Sequence, residues 1–204
     1  MTDHGILFKG KMVQAWLAGR KTQTRRIVSE HNSECPSERW ENLDWSKPAW
    51  VDGVGSGSEY LKVHGPDGTI HRVHSRIQPG DQIYVKETWA QVAPCVGNET
   101  DACTVYRSDG VLLPDGYKWR SSMLMPRCES RILLEVVSVR AQRLQEISED
   151  DAWAEGVVGY GTTRSTHEGR ELYRDLWDSI NGDKPGCSFA DNPFVWAITF
   201  KRAE

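Results

Sequence analysis

The sequence predicts an α+β fold: a small mixed β-barrel with short flanking helices and one long insertion. Three observations carry this. Strand-like runs rich in β-branched and aromatic residues recur at uneven spacing, helical patterns are short and few, and the regular strand–helix alternation of a doubly wound sheet is missing. The 204 residues fit one domain, 1–204, with room for a decorated core.

Each element has its own signal. "ILFK" (Ile6 to Lys9) reads as a first strand. Met12, Val13, Trp16 and Leu17 then fall at helical spacing, and Gly19 is a helix stop. From about 29 to 78 the chain turns polar, broken by Pro and Gly, which predicts an insertion resembling a separable cover more than core. Inside it, "YLKVHGPDGTIHRV" is a hairpin around a Pro-Asp-Gly turn. Gln82 to Trp89 reads as one continuous strand, "ACTVYRSDG" as another, and "SRILLEVVSVRAQRL" as the longest. Ser148 is an N-cap, with Asp151 in an imperfect capping box, for a short helix ending at Glu155. "HEGRELYRDLWDSIN" is an amphipathic helix with Leu172, Leu176 and Ile180 four apart, and "NPFVWAITFKR" is the closing strand.

A formal charge of −4 argues against broad, non-specific nucleic-acid binding but leaves room for a local basic site. Five cysteines without a C-x-x-C pair suit a reducing cytosol better than a disulfide framework. With no signal peptide and no apolar run long enough for a membrane span, the expected location is cytoplasmic. Gly53, Gly55 and Gly57 alternate in a flexible loop that lacks the strand and helix of a phosphate loop. His64, His71 and His74 lie near one hairpin but match no zinc spacing, so no metal site is expected.

The segment with most chemistry is "GRKTQTRR". Lys21 and Thr24 are three apart, so their side chains meet in a turn and face opposite ways in a plain strand. A threonine hydroxyl needs a base, and a lysine serves once burial or nearby cations lower its pKa. Arg20, Arg25 and Arg26 supply such cations. Three readings stand side by side: a catalytic loop, a phosphate grip, and a charged helix end favoured by the macrodipole.

"GRKTQTRR" followed by "PGDQIYVKETW" resembles the ASCH domain family, a PUA-like β-barrel. A phage and prophage branch is matched more widely by "ILFKG", "YRSDG", "MPRCESRILLEV", "ISEDDAWAEGV", "LWDSING" and "NPFVWAITF". That covers nearly everything except 29–78. ASCH domains include enzymes, proposed RNA binders and a coactivator module. One subgroup, the small bacterial N(4)-acetylcytidine amidohydrolases, uses a lysine, a threonine and a glutamate. The resemblance places these on Lys21, Thr24 and Glu155, the last through "SEDDAWAE". It implies a metal-independent amidohydrolase, without cofactor, acting on N(4)-acylated cytosine nucleosides. The alternatives are a non-catalytic RNA or modified-nucleotide binding module, or a ribonuclease.

Arg20 and Arg26 are expected at the substrate, where either is placed to stabilise an oxyanion. In "VKETW", Glu87 and Trp89 are expected on one strand face, the first for a base edge and the second as an aromatic plane, unless both are structural. Tyr106 and Arg120 complete the candidates.

Overall fold

A computed structural model describes residues 2–28, 44–51, 60–93, 103–158 and 168–203, with only the strand itself described for 45–51. The fold is mixed α+β. Its main sheet has the order β1-β6-β9-β10-β2 and contains β1 (Asp3–Leu7), β2 (Gln23–Ile27), β6 (Gln82–Lys86), β9 (Leu133–Arg143) and β10 (Phe194–Arg202). Only β1 and β6 run parallel; the other pairings are antiparallel. A three-stranded sheet holds β3 (Asp44–Val51), β4 (Tyr60–His64) and β5 (Ile70–His74), and a ribbon holds β7 (Trp89–Val92) and β8 (Cys103–Tyr106). Helices α1 (Gly10–Leu17), α2 (Glu149–Ala154) and α3 (Gly169–Asn181) complete the described elements of regular length.

The expected barrel does not close. The outer strands β1 and β2 form no ladder with each other among the described residues. A side chain spans the gap instead: Arg26 Nη2 donates to Leu7 O at 2.9 Å. The sheet curls far enough to bring its edges within reach of an arginine, not of a backbone hydrogen bond.

Two apolar clusters flank the sheet. The first gathers Ile6, Phe8, Ile83, Val85, Leu134, Val136, Trp196 and Ile198. Leu61, Val63 and Val73 of the β4–β5 hairpin belong to the same cluster and are 0–1% exposed. The hairpin forms as expected, with Gly68 at φ +79 in its turn. It is not a separable cover, because its inward residues complete the main core. The remainder of the 29–78 segment, 29–43 and 52–59, lies outside the described residues.

The second cluster packs α2 and α3 against the opposite face through Leu144, Ile147, Trp153, Tyr173, Trp177 and Val195. Leu172, Leu176 and Ile180, the expected apolar stripe of α3, are only half-buried, whereas Tyr173 and Trp177 are fully covered. The reason is position: Leu176 touches both clusters, and the aromatic pair one residue further round points into the second.

Two further expectations are corrected. The strand begun at Gln82 stops at Lys86, and Trp89 opens a different strand in a different sheet. Glu87 and Trp89 therefore flank a break and share no strand face. Cys103 is disulfide-bonded, contrary to the reading of free thiols, while Cys128 and Cys187 are free. Among the described residues no helix is long and apolar enough to cross a membrane.

Candidate active site

The end of α1 delivers Lys21. Gly19, at φ +70, donates to Trp16 O at 2.8 Å, and Arg20 N donates to Ala15 O at 2.9 Å. This paired closure satisfies the last carbonyls of the helix and sends the chain sharply back. Thr22 then pairs with neighbours on either side: its N–H donates to Ala154 O at 2.8 Å, and its carbonyl accepts from Phe200 N at 2.9 Å. Lys21 is thus pinned between the end of α2 and the edge of the main sheet.

The end of α2 delivers Glu155. Ser148 caps the helix, its Oγ accepting from Asp151 N at 3.1 Å. Asp151 is not the second half of a capping box, because its carboxylate is turned to Arg25 and Arg140. Glu155 follows the last helical residue, and Gly156 reverses the chain at φ +88. A Cβ at Gly156 would sit 2.7 Å from Ala15 Cβ and 3.0 Å from Lys21 Cβ, so glycine is required for both conformation and space.

Lys21 Nζ donates to Glu155 Oε2 at 2.9 Å, to Glu155 O at 2.9 Å and to Gln23 O at 2.7 Å. These three acceptors match the three protons of an ammonium. Lys21 is 0% exposed and Glu155 2%. Burial, the largest influence, holds the Lys21 pKa below the ordinary lysine value; the Glu155 carboxylate opposes it, and Arg26 and Arg25 reinforce it. The Phe8 ring centroid lies 5.2 Å from the ammonium.

Glu155 Oε1 accepts from Arg25 Nη1 at 3.0 Å, so each carboxylate oxygen faces a buried cation. Arg25 also reaches Gln23 Oε1 at 2.6 Å and Asp151 Oδ2 at 3.0 Å, and Arg140 joins the same Asp151 oxygen at 2.6 Å. Arg25 and Asp151 were not among the expected site residues. Spacing puts Asp151 and Glu155 on one helical turn and Gln23 and Arg25 on one strand face, but does not set the two pairs against each other. A single guanidinium bridges both pairs.

Thr24 occupies the other face of β2. It pairs with Ile198 and Arg26 pairs with Trp196, both partners belonging to the first cluster. Thr24 is 1% exposed, and its Oγ1 has no hydrogen-bond partner among the described residues. A buried, unpaired hydroxyl costs about 1–3 kcal/mol, which asks for a reason. Lys21 and Thr24 are therefore close in the chain and both buried, without a hydrogen bond between them.

Two cavities border α1. One, of about 510 Å³, is bordered by Arg20, Glu155, Gly156 and Val157; Lys11, Met12 and Gln14 face it from α1. The same three residues border a second cavity of about 1030 Å³, which also includes Arg26 and Glu87. Lys21 and Thr24 line neither.

The remaining candidates form a separate group. Glu87, 2% exposed, accepts from Arg131 Nε at 2.9 Å and from the Ser108 hydroxyl. Arg131 continues to Asp109 at 2.7 Å and lies 4.0 Å from the Tyr106 ring centroid. Tyr106 donates its hydroxyl to Glu129 O at 2.8 Å. Trp89 is 3% exposed, with Arg120 at 5.0 Å over its ring, so it presents no open plane for stacking. Of the expected substrate contacts, Arg20, Arg26 and Glu87 face one of these two cavities; Trp89, Tyr106 and Arg120 line neither. No family model, curated protein or solved structure matches this chain.

Proposed function

We propose that this chain is a PUA-like ASCH domain and a metal-independent amidohydrolase that removes the acyl group from the exocyclic amine of N(4)-acylated cytosine derivatives. The observation that carries the reading is the buried Lys21–Glu155 contact; three residues after Lys21, Thr24 holds a buried hydroxyl with no partner among the described residues. A lysine whose pKa is lowered beside a carboxylate is what acid–base work requires.

The chemistry follows from the protons. At rest Lys21 is an ammonium with all three N–H groups engaged, so it first passes one proton to Glu155 Oε2 across 2.9 Å. Lys21 is then a neutral amine and Glu155 a carboxylic acid. Burial of Lys21 favours its giving up the proton. The amine takes the Thr24 proton as Oγ1 attacks the acyl carbonyl, and the carbonyl electron pair moves onto oxygen. Arg20, Arg26 or a backbone N–H balances that charge. When the tetrahedral intermediate collapses, Glu155 gives its proton to the leaving cytosine amine. Water then attacks the Thr24 ester, gives a proton to Glu155, and releases the acid as Thr24 regains its hydrogen from Lys21.

Thr24 is covered, so turnover needs side chains around α1 to part. The alternative of a non-catalytic RNA or modified-nucleotide reader that grips phosphate with Lys21 is less well supported, because a fully buried ammonium with three protein acceptors has no N–H to spare.

The test is release of cytidine from N(4)-acetylcytidine by the purified protein, with and without chelator. Equal rates are expected. Loss on chelation with recovery on adding zinc or magnesium would overturn the metal-independent route. No turnover of any acylated cytosine nucleoside would overturn the enzyme reading.

A further inference from the structure

The chain carries four more acidic than basic side chains, yet its larger cavity inverts that balance. Five cations border it: Lys9, Lys11, Arg26, Arg107 and Lys184. Among the described residues its one acid is Glu87, which is already held by Arg131. None of the five cations has a carboxylate partner among the described residues. Lys9 donates to Ser179 O at 3.2 Å, and Arg26 to Leu7 O at 2.9 Å and more weakly to Arg25 O. Lys11, Arg107 and Lys184 make no side-chain hydrogen bond or ion pair among those residues. Elsewhere Arg25, Arg127, Arg131, Arg140 and Lys201 are each matched to an acid. Like charges gathered around one concavity repel one another, and a low-dielectric wall focuses their field into it. An anion relieves that cost.

We propose that this cavity receives the phosphate of a nucleotide, so that the proposed reaction prefers a phosphorylated acylcytidine to the free nucleoside. The proposal rests on the reading above for the base and is independent of it for the phosphate. Position connects the two. Arg26 follows Thr24 by two residues on the same face of β2, about 7 Å along the strand. Lys11 borders both the cationic cavity and the cavity at Glu155. At about 1030 Å³ the space exceeds what a pyrimidine alone fills. Phosphate monoesters, phosphoanhydrides and the backbone of a single strand share the same recognition chemistry.

The test is a calorimetric titration with cytidine, cytidine 5′-monophosphate, cytidine 5′-triphosphate, inorganic phosphate and a short oligocytidine, at low and high salt. The monophosphate should bind at least about tenfold more tightly than cytidine, the effect of one charge-assisted contact, and the ratio should shrink as salt rises. Arg107→Glu with Lys184→Glu should erase the ratio. Arg107→Gln, a milder change on an exposed side chain, should reduce it and guards against misfolding of the double variant. Equal affinity for cytidine and its monophosphate, or a ratio untouched by these variants, overturns the proposal. An oligocytidine that binds no tighter than the monophosphate assigns the site to free nucleotides, and a tighter one to a strand; both retain phosphate recognition. Turnover plays no part in the titration, so failure of the amidohydrolase reading leaves its outcome unaffected.

Discussion

Lys21 Nζ lies 2.9 Å from Glu155 Oε2 although 134 residues separate the two in the chain, and both side chains are buried. Bringing both charges out of water is costly, and only close geometry with full hydrogen bonding offsets it. Each oxygen of Glu155 meets that condition, one through Lys21 and the other through Arg25.

Removing the charge should therefore be expensive. Glu155→Gln leaves the buried Lys21 without its carboxylate and Arg25 with Asp151 alone, and is expected to lower stability by about 3–5 kcal/mol, read as a shift in the urea midpoint. Where the variant remains folded, its turnover should fall by roughly a hundred- to ten-thousand-fold. A midpoint unchanged from wild type would mean that the pair is not formed as described.

Gly156→Ala tests the junction itself. The residue sits at φ +88, and an added methyl meets Ala15 Cβ at 2.7 Å. The positive φ alone is expected to cost about 1–2 kcal/mol, and the clash should add to it and displace Lys21. Gly68→Ala, also at positive φ but with open space, provides the comparison. Equal losses at the two positions would show that packing at Gly156 contributes nothing.

Much of this architecture could be read in advance, and the exceptions have physical causes. The β-branched run of β9, the Gly19 stop and the Ser148 cap are local signals, and the structure follows them. The break after Lys86 was hidden because "QIYVKETW" has no Gly or Pro to mark it; past the break Glu87 is held by Arg131 and Ser108. The burial of the β4–β5 hairpin was hidden because its polar flanks masked Leu61, Val63 and Val73. At the site, Lys21, Thr24 and Glu155 were named through resemblance. Arg25 and Asp151 needed the pairing of β2 with α2, which no local pattern specifies.

The hairpin yields a prediction of its own. Deleting 60–74 removes three fully buried aliphatic side chains, each worth about 1.5–3 kcal/mol, from the main core. That sum rivals the whole stability of an ordinary domain, so the shortened chain should lose its cooperative thermal transition. A sharp transition in calorimetry would restore the hairpin as a dispensable cover.

The pH dependence follows from the buried lysine. Burial holds Lys21 in the folded chain below its ordinary 10.5, so on raising pH the folded state releases this proton first. Within that window the unfolded chain binds more protons, and stability contributed by this group rises with pH until 10.5 is passed. Urea unfolding at a series of alkaline pH values should show that positive contribution, and Lys21→Met should remove it. Identical slopes in the two proteins would contradict a lowered Lys21 pKa.

The most direct measurement compares wild type and Lys21→Arg for cytidine release from N(4)-acetylcytidine, with the variant's fold verified by its tryptophan emission. Arginine keeps the positive charge beside Glu155 but does not give up its proton at working pH, so it cannot take the hydrogen of Thr24. The account predicts steady release by wild type and none by Lys21→Arg. A folded Lys21→Arg protein that releases cytidine at close to the wild-type rate would contradict it.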